Sequence, residues 1–436
     1  MALGGGTFLT QNKVLPGSYI NFTSAARASA TLSDRGVVTL PLIMDWGVED
    51  AIFTITNEEF QKDSLKILGY DYTSTKLKRL RDLFLNATTL HAYRLNGGVK
   101  ATNTFATALY SGIRGNDITI IIAVNADDET KFDVTTTISG VVVDIQTVAV
   151  ATALVANDYV TFKTDATLVA TAGTALTGGD NNTVSGTAYQ TYLDKIESYS
   201  FNTMAVVSSD DTIKGLFVAF TKRMRDEMGV KFQTVLYNEA SDYEGIINLK
   251  NAITDVTADF SAASLVYWVA GAEAGCAVNK TLTNKRYDGE FTVDTSYKQS
   301  ELVTAIEAGE FVFHKVGDEV RVLDDVNSFV STTTDKNEDF QSNQVIRVLD
   351  QIGNDIAVLF NTKYLGKVQN NASGRISFWN DIVTYNKQLE QIEAIQNFSS
   401  DDLKVEQGTS KNSVVVTNPV TPVVAMTKLY MTVIVE

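Results

Sequence analysis

Residues 201–238 read FNTMAVVSSDDTIKGLFVAFTKRMRDEMGVKFQTVLYN. The opening "FNTMAVVSS" is an apolar run of strand length, and Asp211 stands where a helix needs a capping oxygen. Ile213, Leu216, Phe217, Phe220 and Met224 then recur at helical spacing, and Gly229 ends the helix. "KFQTVLYN" follows as a second strand. A strand, a helix and a strand joined this tightly predict neighbouring, mostly parallel strands with the helix packed across them. An α/β core is the expectation.

Upstream the same rhythm holds. "RGVVTLPLIMDWG" (35–47) reads as a buried strand, and Asn57 caps a helix carrying Phe60, Leu65 and Leu68, with Gly69 just past its end. A second helix runs through Leu77, Leu80, Phe84 and Leu85, and "LHAYRL" (90–95) returns as a strand. Downstream, "SAASLVYWVAGAEAGCAVN" (261–279) is a helix of small residues that can approach a neighbour closely. A final region from about Val345 includes the amphipathic "WNDIVTYNKQLEQIEAIQ" (379–396).

Composition shifts between about Asn116 and Gly186. The stretch is Thr, Val, Ala and Gly in strand alternation, as in "KFDVTTTISGVVVDIQTVAV" (131–150), and Lys131 and Lys163 are its only basic residues. Bracketed by "SGIRGND" and "TGGDNNTVSG", it reads as an acidic, solvent-facing β-domain inserted into the α/β body. The expected class is α/β, in the sense of an α+β multidomain chain. Its parts are an N-terminal arm at 1–24, a core at 25–101 and 189–344, an insert at 102–188, a C-terminal domain at 345–418 and a C-terminal arm at 419–436.

The 4 prolines are Pro16, Pro41, Pro419 and Pro422, so the long interior has none. Proline stiffens a chain and blocks helix and central strand, and here it punctuates the regions near both ends. "VLPGSYINFTSAA" (14–26) reads as an extended arm, with Ile20 and Phe22 on one face. In "NPVTPVVAMTKLYMTVIVE" (418–436), Leu429, Met431, Val433 and Val435 alternate with Lys428, Tyr430, Thr432, Ile434 and Glu436. An apolar strand with an open edge invites pairing with another chain. The expected donor strands are Ser18, Tyr19, Ile20, Asn21, Phe22 and Thr23 at one end, and Leu429, Met431, Val433 and Val435 at the other. Their hinges are Pro16-Gly17 and Asn418 to Pro422, and the receiving edge is placed near Ser413 to Val416.

At 436 residues the chain has room for about three domains, and 44% hydrophobic residues give it ample core. With 52 acidic and 36 basic residues its net charge is −16, which argues against nucleic acid or an anionic membrane as main partner. Cys276 is the one cysteine, so no internal disulfide is possible. "MALGGGTFLTQNK" is not a signal peptide, and "ITIIIAV" and "LVYWVAGA" fall far short of the ~20 residues of a spanning helix. The protein is expected to be made and kept in the cytoplasm of its host, or to leave by lysis.

Chemistry is scarce. His91 and His314 are the only histidines, and both sit in strand patterns; Cys276 has small apolar neighbours and no nearby cation to activate it. That inventory excludes a zinc site. "DKNEDF" places Asp335, Asn337 and Asp339 like a calcium loop, but Phe340 replaces the turn glycine and Ile346 the closing glutamate. Gly4 and Gly112 open no phosphate cradle, because neither stands between a strand and a helix. Asp324-Asp325 and Asp127-Asp128 are adjacent, so on a strand they would point to opposite faces. No cofactor, metal or catalytic residue is expected.

Several segments resemble one family. "PGSYINF" followed by "RGVVTLPLIMDWG" is similar to the opening of the contractile tail sheath proteins of bacteriophages and phage-tail-like bacteriocins, those of Gram-positive myophages and defective prophages above all. "VYWVAGAEAGCAVNKTLTNKRYDG" (266–289), "VGDEVRVLDDVNSFVS" (316–331) and "SNQVIRVLDQIGNDIAVLFNTKYLGKVQN" (342–370) resemble it too, and "MTKLYMTVIVE" looks like its strand-forming tail. The resemblance implies a subunit that polymerises as stacked hexameric rings around an inner tail tube protein. Assembly would use terminal strand exchange, and baseplate and tail terminator proteins would be further partners. The resemblance also implies a tube-facing C-terminal domain and an outward insert. Nucleic acid would not be a partner, and a membrane would be met only indirectly, through tube penetration.

The reading is a non-enzymatic, structural sheath subunit. One rival is an enzyme on a doubly wound α/β core, which lacks His, Cys and Gly-loop chemistry. The other is a cell-surface assembly protein, favoured by the Thr-rich insert but lacking an export signal or wall-binding repeats.

Overall fold

A computed structural model of the chain describes residues 32–435. The N-terminal donor residues Ser18 to Thr23 and their hinge Pro16-Gly17 lie outside these described residues. Strand β1 (Val37–Leu42) is buried from Val38 onward, as a central strand covered on both faces must be. β2 (Ile52–Thr56) runs directly into helix α1 (Asn57–Leu68). The cap of α1 is Thr56 rather than the expected Asn57. Its hydroxyl accepts from the Glu59 N–H at 3.2 Å, and the Glu59 carboxylate accepts from the Thr56 N–H at 2.8 Å. Asn57 is already helical and donates its amide to the Phe84 carbonyl instead. Gly69 closes α1 in left-handed backbone, with φ 78°. Helix α2 (Lys78–Phe84) and strand β3 (Thr89–Arg94) follow.

The chain then leaves through β4 (Gly98–Val99) into the insert. There β5 (Ala106–Ala108), β6 (Ile118–Val124), β7 (Phe132–Ile138), β8 (Val141–Val148), β9 (Val160–Phe162) and β10 (Thr171–Ala175) form two antiparallel sheets, ordered β10-β6-β7-β8 and β5-β9. It returns through β11 (Asp180–Asn181), whose residues oppose Val99 and Gly98 of β4. This neck is tight. A side chain on Gly98 would bring Cβ within 2.2 Å of the Asp180 carbonyl oxygen. Trp46, contributed by the loop after β1, is fully buried in the insert's core against the rings of Tyr110 and Tyr159.

Helix α3 (Gly186–Ile196) opens inside the range read as insert, yet it packs on the core sheet. Its Tyr192 hydroxyl meets Thr39 Oγ1 of β1 at 2.8 Å. Strand β12 (Thr203–Ala205), helix α4 (Asp211–Lys222) and strand β13 (Gln233–Tyr237) build the predicted crossover, with β12 and β13 parallel. The cap of α4 is Asp210, not Asp211: its carboxylate accepts from the N–H groups of Thr212 and Ile213. One wider turn, Arg223–Glu227, precedes Gly229. Then come β14 (Ile246–Leu249), α5 (Val266–Gly275), α6 (Gln299–Glu307), β15 (Glu310–Phe311) and the hairpin β16 (Phe313–Val316) and β17 (Glu319–Val322). The main sheet is ordered β15-β14-β13-β12-β1-β3-β2, parallel throughout except for β2 against β3.

The small residues of α5 do bring its backbone against α2. A Cβ on Gly271 would lie 2.2 Å from the Leu83 carbonyl oxygen, and one on Gly275 would lie 2.1 Å from that of Asn86. Helices α7 (Asn343–Leu359) and α8 (Ala372–Gln391) lead to β18 (Ile395–Gln396), the hairpin β19 (Lys404–Gln407) and β20 (Val414–Thr417), and β21 (Thr421–Pro422).

Two compact units result. One comprises Ser33–Gly353, Ile392–Gln396 and the segment from Pro422; the other comprises Asn354–Gln391 and Asn397–Thr421. In the smaller unit, Phe378, Ile382 and Val383 of α8 pack with Leu359, Tyr364 and Leu403, and the Trp379 indole donates to the Leu403 carbonyl at 3.0 Å.

In the larger unit, Arg347 of α7, Glu273 of α5 and Asp325 of the loop after β17 are all buried. Arg347 meets Glu273 at 2.6 Å and Asp325 at 3.2 Å. Asp324 and Asp325 do not point apart as a strand would require, because they lie in a loop and both accept from residues 281–283. Burial, with Asp325 alongside, pushes the Glu273 carboxyl up to about 8 against the pull of Arg347. Burial would raise Asp325 as well, but Arg347 and a hydrogen bond from Glu273 hold it low. At neutral pH the folded chain therefore keeps a proton on Glu273 that the unfolded chain has lost. Such a contribution to stability disappears as pH rises through the folded value. Melting temperature should accordingly fall from about pH 5 to about pH 8, between the ordinary carboxyl value and the folded one, and Glu273→Gln should flatten that fall. An unchanged slope in the variant would assign the pH dependence to another group.

Candidate assembly interface

Catalytic chemistry does not converge. Among the described residues no group of His, Cys, Asp and Glu could hold a metal ion, and no helix is long and apolar enough to cross a membrane. His91 Nδ1 lies 2.9 Å from Thr54 Oγ1, its ring packs against Tyr199, and burial lowers its pKa. His314 is lowered by burial and by Arg321. Burial pushes the Cys276 thiol up to about 11, which makes it a poor nucleophile. The Asp335 loop caps a short turn, with the Asn337 side chain accepting from the Asp339 N–H.

Exposed apolar surface concentrates at the C-terminal segment. Residues 423–435 form no helix or strand. Leu429, Tyr430, Met431, Val433, Ile434 and Val435 are each 72% to 91% exposed. Both alternating sets are thus uncovered, including Tyr430 and Ile434 on the side read as more polar. Isolated exposed aliphatics are ordinary, whereas six within seven residues form a patch that calls for a partner.

The root of this segment is fixed. The Gln344 side chain donates to the Val423 carbonyl at 3.2 Å and accepts from the Ala425 N–H at 3.0 Å, and the Val423 N–H bonds the Ala394 carbonyl at 3.0 Å. Upstream, the Asn386 amide donates to Asn418 Oδ1 at 2.7 Å. Pro419 and Pro422 lie between these fixed points, so the segment leaves its holders only after Ala425. Gln344 is buried in α7, and reading the sequence for arms and hinges did not find it. The only local signal is the spacing of Gln344, Arg347 and Gln351.

The predicted receiving region, Ser413 to Val416, falls on β20. Among the described residues β19 and β20 pair only with each other, from Lys404↔Thr417 to Gln407↔Val414, so each has an edge that no described strand occupies. One face of the hairpin is seated on the smaller unit's core through Val405, Val414 and Val416. Asn370 braces its turn by donating to the Lys411 and Ser413 carbonyls.

Comparison with known proteins assigns nearly the whole described chain. Residues 35–95 match the tail sheath protein Gp18 domain III N-terminal region and residues 96–181 the phage tail sheath protein beta-sandwich domain. Residues 182–328 match the phage tail sheath protein central domain and residues 335–436 the phage tail sheath C-terminal domain. The phage-like element PBSX protein XkdK of Bacillus subtilis is 35% identical over 99% of both chains. The crystal structure of the sheath tail protein from Desulfitobacterium hafniense is 38% identical, covers 93% of this chain and 100% of that one, and superposes with a TM-score of 0.80. The helical sheath of the anti-feeding prophage in its contracted state shares the fold alone, at 13% identity, a TM-score of 0.56 and coverage of 96% and 99%. The chain therefore belongs to the phage tail sheath family, as a structural subunit of a contractile tail and not an enzyme.

Proposed function

We propose that copies of this chain polymerise as stacked six-membered rings around an inner tube, each ring tied to its neighbours by exchanged terminal strands. The observation that carries this reading is the pairing of needs in one molecule: an uncovered apolar segment, 426–435, and a two-stranded hairpin whose outer edges no described strand occupies. Residues 428–435 of one copy would add to the edge of β19–β20 in another, with Leu429, Met431, Val433 and Val435 as anchors. Ser18 to Thr23 would be donated likewise. Contraction is then a rigid-body rearrangement of copies whose connections persist. The C-terminal domain faces the tube and the insert faces outward. Assembly takes place in the host cytoplasm, on a baseplate and under a terminator, before release by lysis. Electron microscopy of the purified chain tests it: hollow, helically striated tubes are expected, and isolated or amorphous material at high concentration would count against it.

Outward placement predicts that the insert is dispensable. Excising residues 100–179 and joining Val99 to Asp180 through Asn-Gly uses a hairpin turn that suits two opposed strands. Trp46→Gln should accompany the cut, because the excision uncovers that ring. Tubes are expected from the resulting protein. A folded monomer without tubes would place the insert in the lattice.

A further inference from the structure

Gln344, Arg347 and Gln351 fall at i, i+3 and i+7 of α7, so they share one face over two turns, about 10 Å. Gln344 holds the root of the C-terminal segment through Val423 and Ala425. Gln351 holds the other end, donating to the Ser33 hydroxyl at 2.6 Å and to its carbonyl at 3.3 Å. Ser33 is the first residue of the larger unit. Two residues on, Arg35 donates to the Cys276 carbonyl at 2.8 Å and the Glu273 carbonyl at 3.1 Å. Between the glutamines, Arg347 is held by Glu273, Asp325 and the Lys280 carbonyl. Both glutamines are buried, and a buried amide stripped of its partners is costly, so neither root lifts away freely.

We propose that this face of α7 is the shared anchor of both arms, with Gln344 and Gln351 as the positioning residues that fix the two roots at a set separation. The proposal rests on the strand-exchange reading above. A pull arriving through one arm then crosses two turns of an immobilised helix before it reaches the other. Displacement of one copy is passed to the next rather than absorbed in the body, and contraction travels along the tail.

Three full-length variants test this: Gln344→Leu, Gln351→Leu and the double substitution. In free Gln344→Leu subunits, hydrogen exchange at the Ala425 amide should accelerate about tenfold, the loss of one hydrogen bond, while the main sheet stays protected. The double variant should form tubes, since residues 428–435 are unchanged. A urea jump should leave its contraction arrested part-way along the tube. End-to-end contraction like the parent's overturns the proposal. Folded double-variant subunits that form no tubes also overturn it, because the glutamines would then serve pairing itself.

A staple gives an independent arm. With Cys276→Ser, Gln344→Cys and Ala425→Cys, the oxidised sheath should contract fully, because the anchor stays shut throughout. Contraction only after reduction would show that the root must detach, which also overturns the proposal. Tubes formed by a chain lacking 428–436 would instead sink the strand-exchange reading, and the exchange rates of free subunits would still report on the anchor.

Discussion

Removing Lys428–Glu436 should abolish tube formation and leave a folded, soluble subunit. Residues 428–435 lie in no strand and are exposed almost throughout, so their deletion strips no contact from the body that carries them. The root, held at Val423 and Ala425, stays in place. On the strand-exchange reading, what the deletion removes is gained only between copies. Burying Leu429, Met431, Val433 and Val435 contributes up to roughly 1.5–3 kcal/mol each. Ladder hydrogen bonds add about 1 kcal/mol apiece. Association costs an estimated ~4–15 kcal/mol, so one arm is marginal and several simultaneous exchanges hold. On that reading free subunits should stay apart until a nucleus offers many partners. Val433→Asp should weaken assembly more than Thr432→Asp, whose side of the segment also carries Lys428. Size-exclusion chromatography and electron microscopy read out all three variants. Tubes from the truncated chain would falsify strand donation, and a misfolded monomer would assign the segment to its own chain's fold.

Arg347→Met unfolds the subunit at neutral pH or brings it close. The substitution keeps the side chain's volume but leaves Glu273 and Asp325 buried without their cation. Breaking a buried ionic cluster from one side costs about 3–5 kcal/mol, a large share of the ~5–15 kcal/mol that holds most domains together. The sign of the pH dependence follows. Glu273 already carries its proton at neutral pH, so Asp325 is the charge left uncompensated; without Arg347 its folded-state pKa rises, and the lost stability returns as pH falls and it takes up a proton. Urea titrations at pH 5 and pH 7.5 should show the variant recovering at the lower pH relative to the parent. Equal stability of variant and parent at pH 7.5 would mean that the cluster contributes nothing.

The parallel core was legible because its signals are local. Helical spacing in residues 213–224 and the strands flanking it fix the crossover, and the small residues of α5 announce a close neighbour. Caps were misplaced by one residue for a physical reason. Thr56 and Asn57, like Asp210 and Asp211, are both competent cappers, and only the extended backbone at the first of each pair selects it. The polar interior of α7 was not legible. Gln344, Arg347, Asp350 and Gln351 are polar side chains that no pattern in the sequence marks as interior, yet all are buried. Their partners, Ala425, Glu273, Arg225 and Ser33, stand 81, 74, 125 and 318 residues away. No local period carries pairing at that range. The apolar alternation of the C-terminal segment was legible, but its holder on α7 was not.

The neck between β4 and β11 brings Val99 and Asp180 opposite each other, so the polypeptide leaves the core and re-enters it at one place. The backbone beyond that pair is a single excursion, tied to the core also by Trp46, by Arg114 donating to the Gly69 carbonyl and by Lys66 with Asp158. A foreign domain whose own termini are adjacent could be grafted there as readily as the native one, once Trp46 is given a new lining or a polar replacement. With the insert placed outward as proposed, each graft would be repeated at every lattice position, turning the outside of the tail into an ordered display surface of one module per subunit.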